Sequence, residues 1–248
     1  MLPLGVMALT ALSVLVTSFI SGIFGMAGGM MLMGLLLALM PVSAAMVMHG
    51  AAQLTANGWR ALLWRGYIDV RIFGRFVLGL AAAGILFSFV GFMPDRVLIL
   101  LTLGALPFLA VLIPRRFVIQ APQRGGAELC GLLNGSMQFI AGVSGPLLDI
   151  FFIRTDMDRR HVVATKAACQ ASAHLAKLVY FGHALGAGYL SAPMFAVAIG
   201  AAVLGTSLGK FILERLSDHQ FRRWTQGIVL VIGTVYLVQG IHLALTRN

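Results

Sequence analysis

The chain has 248 residues, 59% of them hydrophobic and 10% charged, with a net charge of +10 and a mean hydropathy of +0.93. A soluble globular domain carries about 25% charged residues, so this composition excludes one and specifies a polytopic helical membrane protein. The basic residues flank apolar runs instead of interleaving with aromatics, which argues against nucleic-acid binding and points to membrane topology and anionic lipid headgroups.

Ten apolar segments follow in chain order: 4–24, 27–40, 43–63, 73–92, 97–113, 126–141, 144–154, 160–181, 190–211 and 222–243. No charged residue precedes Arg60. The first segment lacks the basic start and small-residue cleavage site of a signal peptide, so it reads as a membrane helix. Spanning a bilayer takes about 20 apolar residues. The second and seventh segments are shorter and begin at the glycine-rich stretches "GIFGMAGGMML" and "GVSGPLLDI". They are expected to be half-helices or the return limbs of re-entrant hairpins. The expected fold is therefore all-α with eight to ten membrane segments. Cys130 and Cys169 both lie in apolar runs and define neither a disulfide nor a metal framework.

The third segment carries His49, Gln53, Asn57 and Arg60. At about 100° per residue these share one helical face within an arc of roughly 80°. The eighth repeats the device with Lys166, Gln170, His174 and Lys177. Thr55 and Ser172 point elsewhere and are expected to bond their own backbone or to back a neighbouring helix. Polar side chains in hydrocarbon normally face the bundle interior or a wet cavity. They also serve as interhelical hydrogen bonds that simply hold the bundle together. Arg60 and Lys210 lie near the basic-loop ends of their segments, where a topology charge and a snorkelling side chain are expected.

Basic residues in the connections at 60–75, 114–125, 154–160 and 210–223 number four, three, three and four, against Arg96 and Arg247 on the other face. By the positive-inside rule the first face is cytoplasmic and both termini lie outside. A shift of 117 residues then aligns the halves: Gly25 with Gly142, Gly28 with Gly145, His49 with Lys166, Gln53 with Gln170, Asn57 with His174, and Arg60 with Lys177. Five segments per half is an odd number, so the halves insert in opposite orientations, an arrangement typical of secondary transporters. The expected organisation is a first repeat at 1–114, a cytoplasmic linker at 115–125 and a second, inverted repeat at 126–248. The glycines then end helices near the midplane and free backbone groups; their other use is close helix packing.

The stretches "GIFGMAGGMML", "GVSGPLLDIFF" and "RRHVVATKAACQASAHLAKLVYFG", with the duplicated organisation, resemble the sulfite exporter TauE/SafE family of membrane permeases. The resemblance covers essentially the whole chain. Where a fuller glycine run is common in the family, this chain has Ser144-Gly145-Pro146. The resemblance implies transport of sulfite, sulfonates or related small organosulfur anions across the bacterial inner membrane, with export as the expected direction.

The expected binding site lies between the two breaks, formed by Gly25, Gly28, Gly29, Gly142, Ser144 and Gly145, with free N–H groups at helix N-termini facing the anion. His49, Gln53, Asn57, Gln170 and His174 supply hydrogen-bonding groups, and Lys166 and Lys177 the compensating charge. Asp149, with Leu32 as its repeat equivalent, is either a partner of Lys166 or Arg154 or a carboxylate that couples transport to a proton. Sodium is the other candidate coupling ion. A passive anion channel and an uptake permease for another small anion remain alternatives. An enzyme is not expected, since no HExxH, GxSxG or clustered Cys/His set occurs. No cofactor or resident metal is expected either.

Overall fold

Each apolar segment folds as a helix in the computed structural model, which describes residues 4–24, 26–113, 118–152, 155–183, 190–213 and 218–246. The helices are α1 (Leu4–Phe24), α2 (Met26–Leu39), α3 (Val42–Leu63), α4 (Val70–Val90), α5 (Arg96–Leu112), α6 (Gly126–Ala141), α7 (Gly145–Ile150), α8 (Arg159–Gly182), α9 (Ala192–Leu213) and α10 (Asp218–Leu245), with a short 3₁₀ turn at Arg65–Tyr67. No strand occurs among the described residues.

Three of the acidic residues act as helix N-caps. Asp69 accepts from the amides of Arg71 and Ile72 at the start of α4, Asp95 from Leu98 in α5, and Asp158 from Arg160 in α8. These bonds satisfy amides that the helix leaves without partners. Four helical stretches are long and apolar enough to cross a membrane unaided: Gly5–Phe24, Val70–Val90, Ala192–Gly209 and Trp224–Leu245. α3 and α8 match them in length, at 22 and 24 residues, but their polar stripes lower their hydropathy. At 1.5 Å per residue, the 14 residues of α2 run about 21 Å. The six of α7 run about 9 Å. Both fall short of a hydrocarbon core about 30 Å thick. α7 ends before the expected residue 154, because the chain turns at 151–152. There the Phe151 carbonyl accepts from the Ala121 amide at 2.9 Å.

The helices pack as α1 on α9, α4 on α6, α3 on α8, and α5 on α10. Lipid tails are as apolar as leucine, so helices in a bilayer associate through close van der Waals contact at small residues. Gly22 on α1 faces Gly209 on α9 so closely that a Cβ on Gly22 would lie 2.9 Å from the Gly209 Cα. Arg75 on α4 holds Glu128 on α6 through both carboxylate oxygens, at 2.8 and 2.7 Å. Leu78, Phe89, Val231 and Val238 are exposed on the outside of the bundle, as lipid-facing residues are. α3 and α8 form the centre, with their stripes turned toward each other.

Candidate functional site

The two stripes meet around a cavity of about 140 Å³. α3 contributes His49, Gln53, Asn57 and Arg60; α8 contributes Lys166, Gln170 and His174. Gly29 of α2 and Gly145 and Asp149 of α7 complete the wall among the residues expected at the site. Four expected residues do not line it: Gly28, Gly142, Ser144 and Lys177. Gly25 lies outside the described residues.

The displaced four have structural explanations. A side chain at Gly28 would run into the Thr17 carbonyl and Ser21, so this glycine lets α2 lie against α1. Gly142 ends α6 in the left-handed conformation, φ 73°, which a residue with a Cβ rarely adopts. The Ser144 hydroxyl donates to Asn134 Oδ1 at 2.9 Å, fixing the turn between α6 and α7. Lys177 is fully buried one layer behind the cavity.

Lys177 Nζ donates to the Gly142 carbonyl and to His49 Nδ1, both at 2.7 Å. His49 Nε2 lies 2.9 Å from the Gly29 carbonyl. A carbonyl only accepts, so Nε2 carries the proton and Nδ1 is the lone-pair acceptor that Lys177 uses. The series Gly142–Lys177–His49–Gly29 thus ties the end of α6 to α2 through both stripes. The His49 and His174 rings lie 5.4 Å apart, and His174 contacts the Gln138 amide at 3.3 Å. Thr55 and Ser172 bond the carbonyls of Ala51 and Cys169, each at 2.9 Å, as their orientation suggested.

Gln53 is only 3% exposed. Asn57 Nδ2 donates to the Gln53 main-chain carbonyl at 2.9 Å and to Gln53 Oε1 at 3.4 Å. The second contact fixes which end of the Gln53 amide is which. Its Nε2 is then a buried donor with no hydrogen-bond partner among the described residues, on a residue that lines the cavity. Buried polar groups are normally satisfied.

Asp149 forms an ion pair with Lys166 in the cavity wall, of the two cations considered for it; Arg154 lies outside the described residues. Arg60 donates to the Ser21 carbonyl at 2.8 Å and has no carboxylate partner among the described residues. With Lys166 and Asp149 compensating each other, the wall has one positive charge in excess. The Lys166 and Asp149 side chains are 28% and 27% exposed, whereas His49 and His174 are buried. The cavity therefore opens toward the basic connections and closes toward Lys177. Among the described residues no group of three or more His, Cys, Asp or Glu could hold a metal ion.

Arg60, read from sequence as a topology charge, lines the cavity, and two residues of α6 stand behind it, Gln138 against His174 and Asn134 against Ser144. Asn134 and Gln138 are fully buried and sit at i, i+4 in an apolar helix. That spacing is the signal that marked α3 and α8, and it was legible here as well.

Helices with lipid-facing apolar sides and a cation-bearing cavity between the central pair define a polytopic membrane protein. The sulfite exporter TauE/SafE family matches residues 10–236, and the chain belongs to that family. It is accordingly a membrane transporter. No curated protein and no solved structure matches the chain.

Proposed function

We propose that the protein exports sulfite, sulfonates or related small organosulfur anions across the bacterial inner membrane by alternating access around the cavity between α3 and α8. The observation that carries this reading is the unpartnered, buried Nε2 of Gln53, a residue that lines a cavity whose excess charge is the Arg60 guanidinium. An anion that sheds water needs donors and positive charge in exchange, and an arginine supplies planar, paired donors to an oxyanion. A space of about 140 Å³ is enough for several waters or one small oxyanion. Gln170, the repeat equivalent of Gln53, faces the same space.

The inverted repeat, 1–114 against 126–248, has support in the packing. Interchanging α1 with α6, α2 with α7, α3 with α8, α4 with α9 and α5 with α10 carries the α1–α9 contact onto α6–α4, and leaves α3–α8 and α5–α10 unchanged. All these contacts occur. With the basic face cytoplasmic and both termini outside, the cavity opens to the cytoplasm, the loading side of an exporter. Asp149, paired with Lys166 at the mouth, is the residue we assign to proton coupling.

The test is uptake of radiolabelled sulfite, with a panel of sulfonates as competitors, into proteoliposomes with and without a pH gradient. Saturable uptake that accumulates against the anion gradient when a pH gradient is imposed supports a coupled carrier. Flux that only runs downhill and does not saturate makes it a channel. No flux of any of these anions overturns the substrate assignment.

A further inference from the structure

Arg60 and Lys177 are related by the same 117-residue shift and occupy opposite ends of the polar cluster. Each donates to a carbonyl near the end of a helix that precedes a break. Arg60 reaches Ser21 in the last turn of α1 at 2.8 Å, and Lys177 reaches Gly142 at the C-cap of α6 at 2.7 Å. Carbonyls at a helix C-terminus carry partial negative charge. The two cations differ in access. Arg60 lines the open cavity, while Lys177 is sealed behind His49 and fully buried.

Two features set Lys177 apart from a structural lysine. Its partners among the described residues are a carbonyl and an imidazole lone pair, with no carboxylate. Burying an ammonium without a counter-charge is costly. Beyond it along α8, away from the cavity, aromatic side chains pack on one another. Tyr180 packs on Phe139 and Phe181 with centroids 4.9 and 5.0 Å away. Its hydroxyl donates to the Phe92 carbonyl at 2.8 Å, with the Phe87 carbonyl 3.1 Å away. Phe92 lies in the α4–α5 connection, opposite the basic loops. An aromatic layer one turn further along α8 thus lies between Lys177 and that connection.

We propose that Lys177 is the anion-binding cation of the outward-facing site, as Arg60 is of the inward-facing one, and that the Lys177–His49 contact closes the outward site in the conformation described. This rests on the inverted-repeat transporter reading above. When the two halves exchange conformations, Lys177 takes the place at the cavity mouth that Arg60 holds, and Arg60 takes the buried place. Separation of Lys177 from His49 leaves a desolvated ammonium that an anion completes.

The test uses the full-length protein with Cys130→Ala and Cys169→Ala, carrying Lys177→Cys or Arg60→Cys. The probe for access is the impermeant sulfonatoethyl methanethiosulfonate. Position 177 is expected to react in spheroplasts, where the outer face is exposed, and to be protected in inside-out vesicles. Position 60 is expected to show the reverse. Lys177→Cys should lose sulfite transport and regain it when aminoethyl methanethiosulfonate restores a cation, but not when the sulfonatoethyl reagent adds an anion. A merely structural lysine would show neither sidedness nor charge-dependent rescue. Should Lys177→Cys fail to assemble, Met46→Cys reports the same path with Lys177 intact. Met46 is fully buried and adjoins Gly142 on the outward side of His49. Labelling of 177, or of 46, from the cytoplasmic side alone or from neither side overturns the inference. Outside labelling in a protein that transports no tested anion overturns the substrate assignment and leaves the gate standing.

Discussion

Gln53→Leu separates a binding role from a structural one by the sign of two effects. The substitution replaces the amide with an apolar side chain of similar size at a position 3% exposed. The native Nε2 has no partner among the described residues, and a buried unsatisfied donor costs about 1–3 kcal/mol. Asn57 loses its 3.4 Å contact to Oε1 but keeps the Gln53 main-chain carbonyl at 2.9 Å, so little is lost there. The anion-free protein should become more stable by about 1–2 kcal/mol. Anion binding should move the other way. A hydrogen bond to a charged partner is worth about 1.5–3 kcal/mol, and each 1.4 kcal/mol is tenfold in affinity, so sulfite should bind about 10- to 150-fold more weakly. The assay is thermal unfolding of the purified protein in detergent, titrated with sulfite, beside uptake into proteoliposomes. A raised midpoint without sulfite, a smaller increment with it, and a higher half-saturation concentration are expected. A lowered midpoint with the sulfite increment intact would show that the amide holds the bundle together and that the site lies elsewhere.

Gly28→Ala should destabilise the protein by about 1–3 kcal/mol, since its methyl group would press on the Thr17 main chain; an unchanged unfolding midpoint would mean α1 and α2 are not held at this spacing. Asp149→Asn leaves Lys166 without its partner and should abolish pH-driven accumulation while retaining exchange of labelled sulfite across the membrane. Normal pH-driven accumulation removes the proton role, and failure to assemble, relieved by a compensating change at Lys166, makes the pair structural. Single cysteines at either terminus or within 93–96, in a background without Cys130 and Cys169, should react with an impermeant reagent in spheroplasts. Reaction at 115–125 instead would reverse the sidedness drawn from the basic loops.

The helices were legible because apolar length and flanking charge are local properties. The ends of α4, α5 and α8 carry Asp69, Asp95 and Asp158 as caps, a signal written in the sequence. The stripes were legible too, since a face is fixed by spacing along one helix. Depth within the bundle was not. Lys177 and His174 share a face of α8, yet His174 lines the cavity while Lys177 sits behind His49, because the packing of α3 on α8 decides which layer each reaches. Arg60 was ambiguous for a related reason. A long side chain near a helix end can snorkel to the surface or turn inward, and the Ser21 carbonyl at the end of α1 is what draws it inward. The glycines illustrate a third limit. Gly28 gives room to a neighbouring helix and Gly142 gives a left-handed turn, and composition alone does not separate the two uses.

On the inverted-repeat reading, symmetry explains access from both sides but not direction. A carrier whose halves were identical would present equivalent sites inward and outward, and nothing in it would favour export. The gradients set the direction, and positions where the halves differ decide on which side a proton can take part. Asp149 and Lys166 correspond to Leu32 and His49. Leu32 is fully buried in the apolar core, and His49 bonds Lys177 and Gly29 instead of a carboxylate. The inward end therefore holds a cation and an ion pair, while the outward end holds a cation and an imidazole. Asp149, paired with Lys166, lines the same cavity as Arg60, so a change in its charge would act on an anion bound at the inward end. At the outward end no such carboxylate occurs among the described residues. Asp149 is consequently the position where a proton would act on one side of the cycle only, and Leu32→Asp, which adds a carboxylate at the equivalent place, should make transport less dependent on which side is acidic.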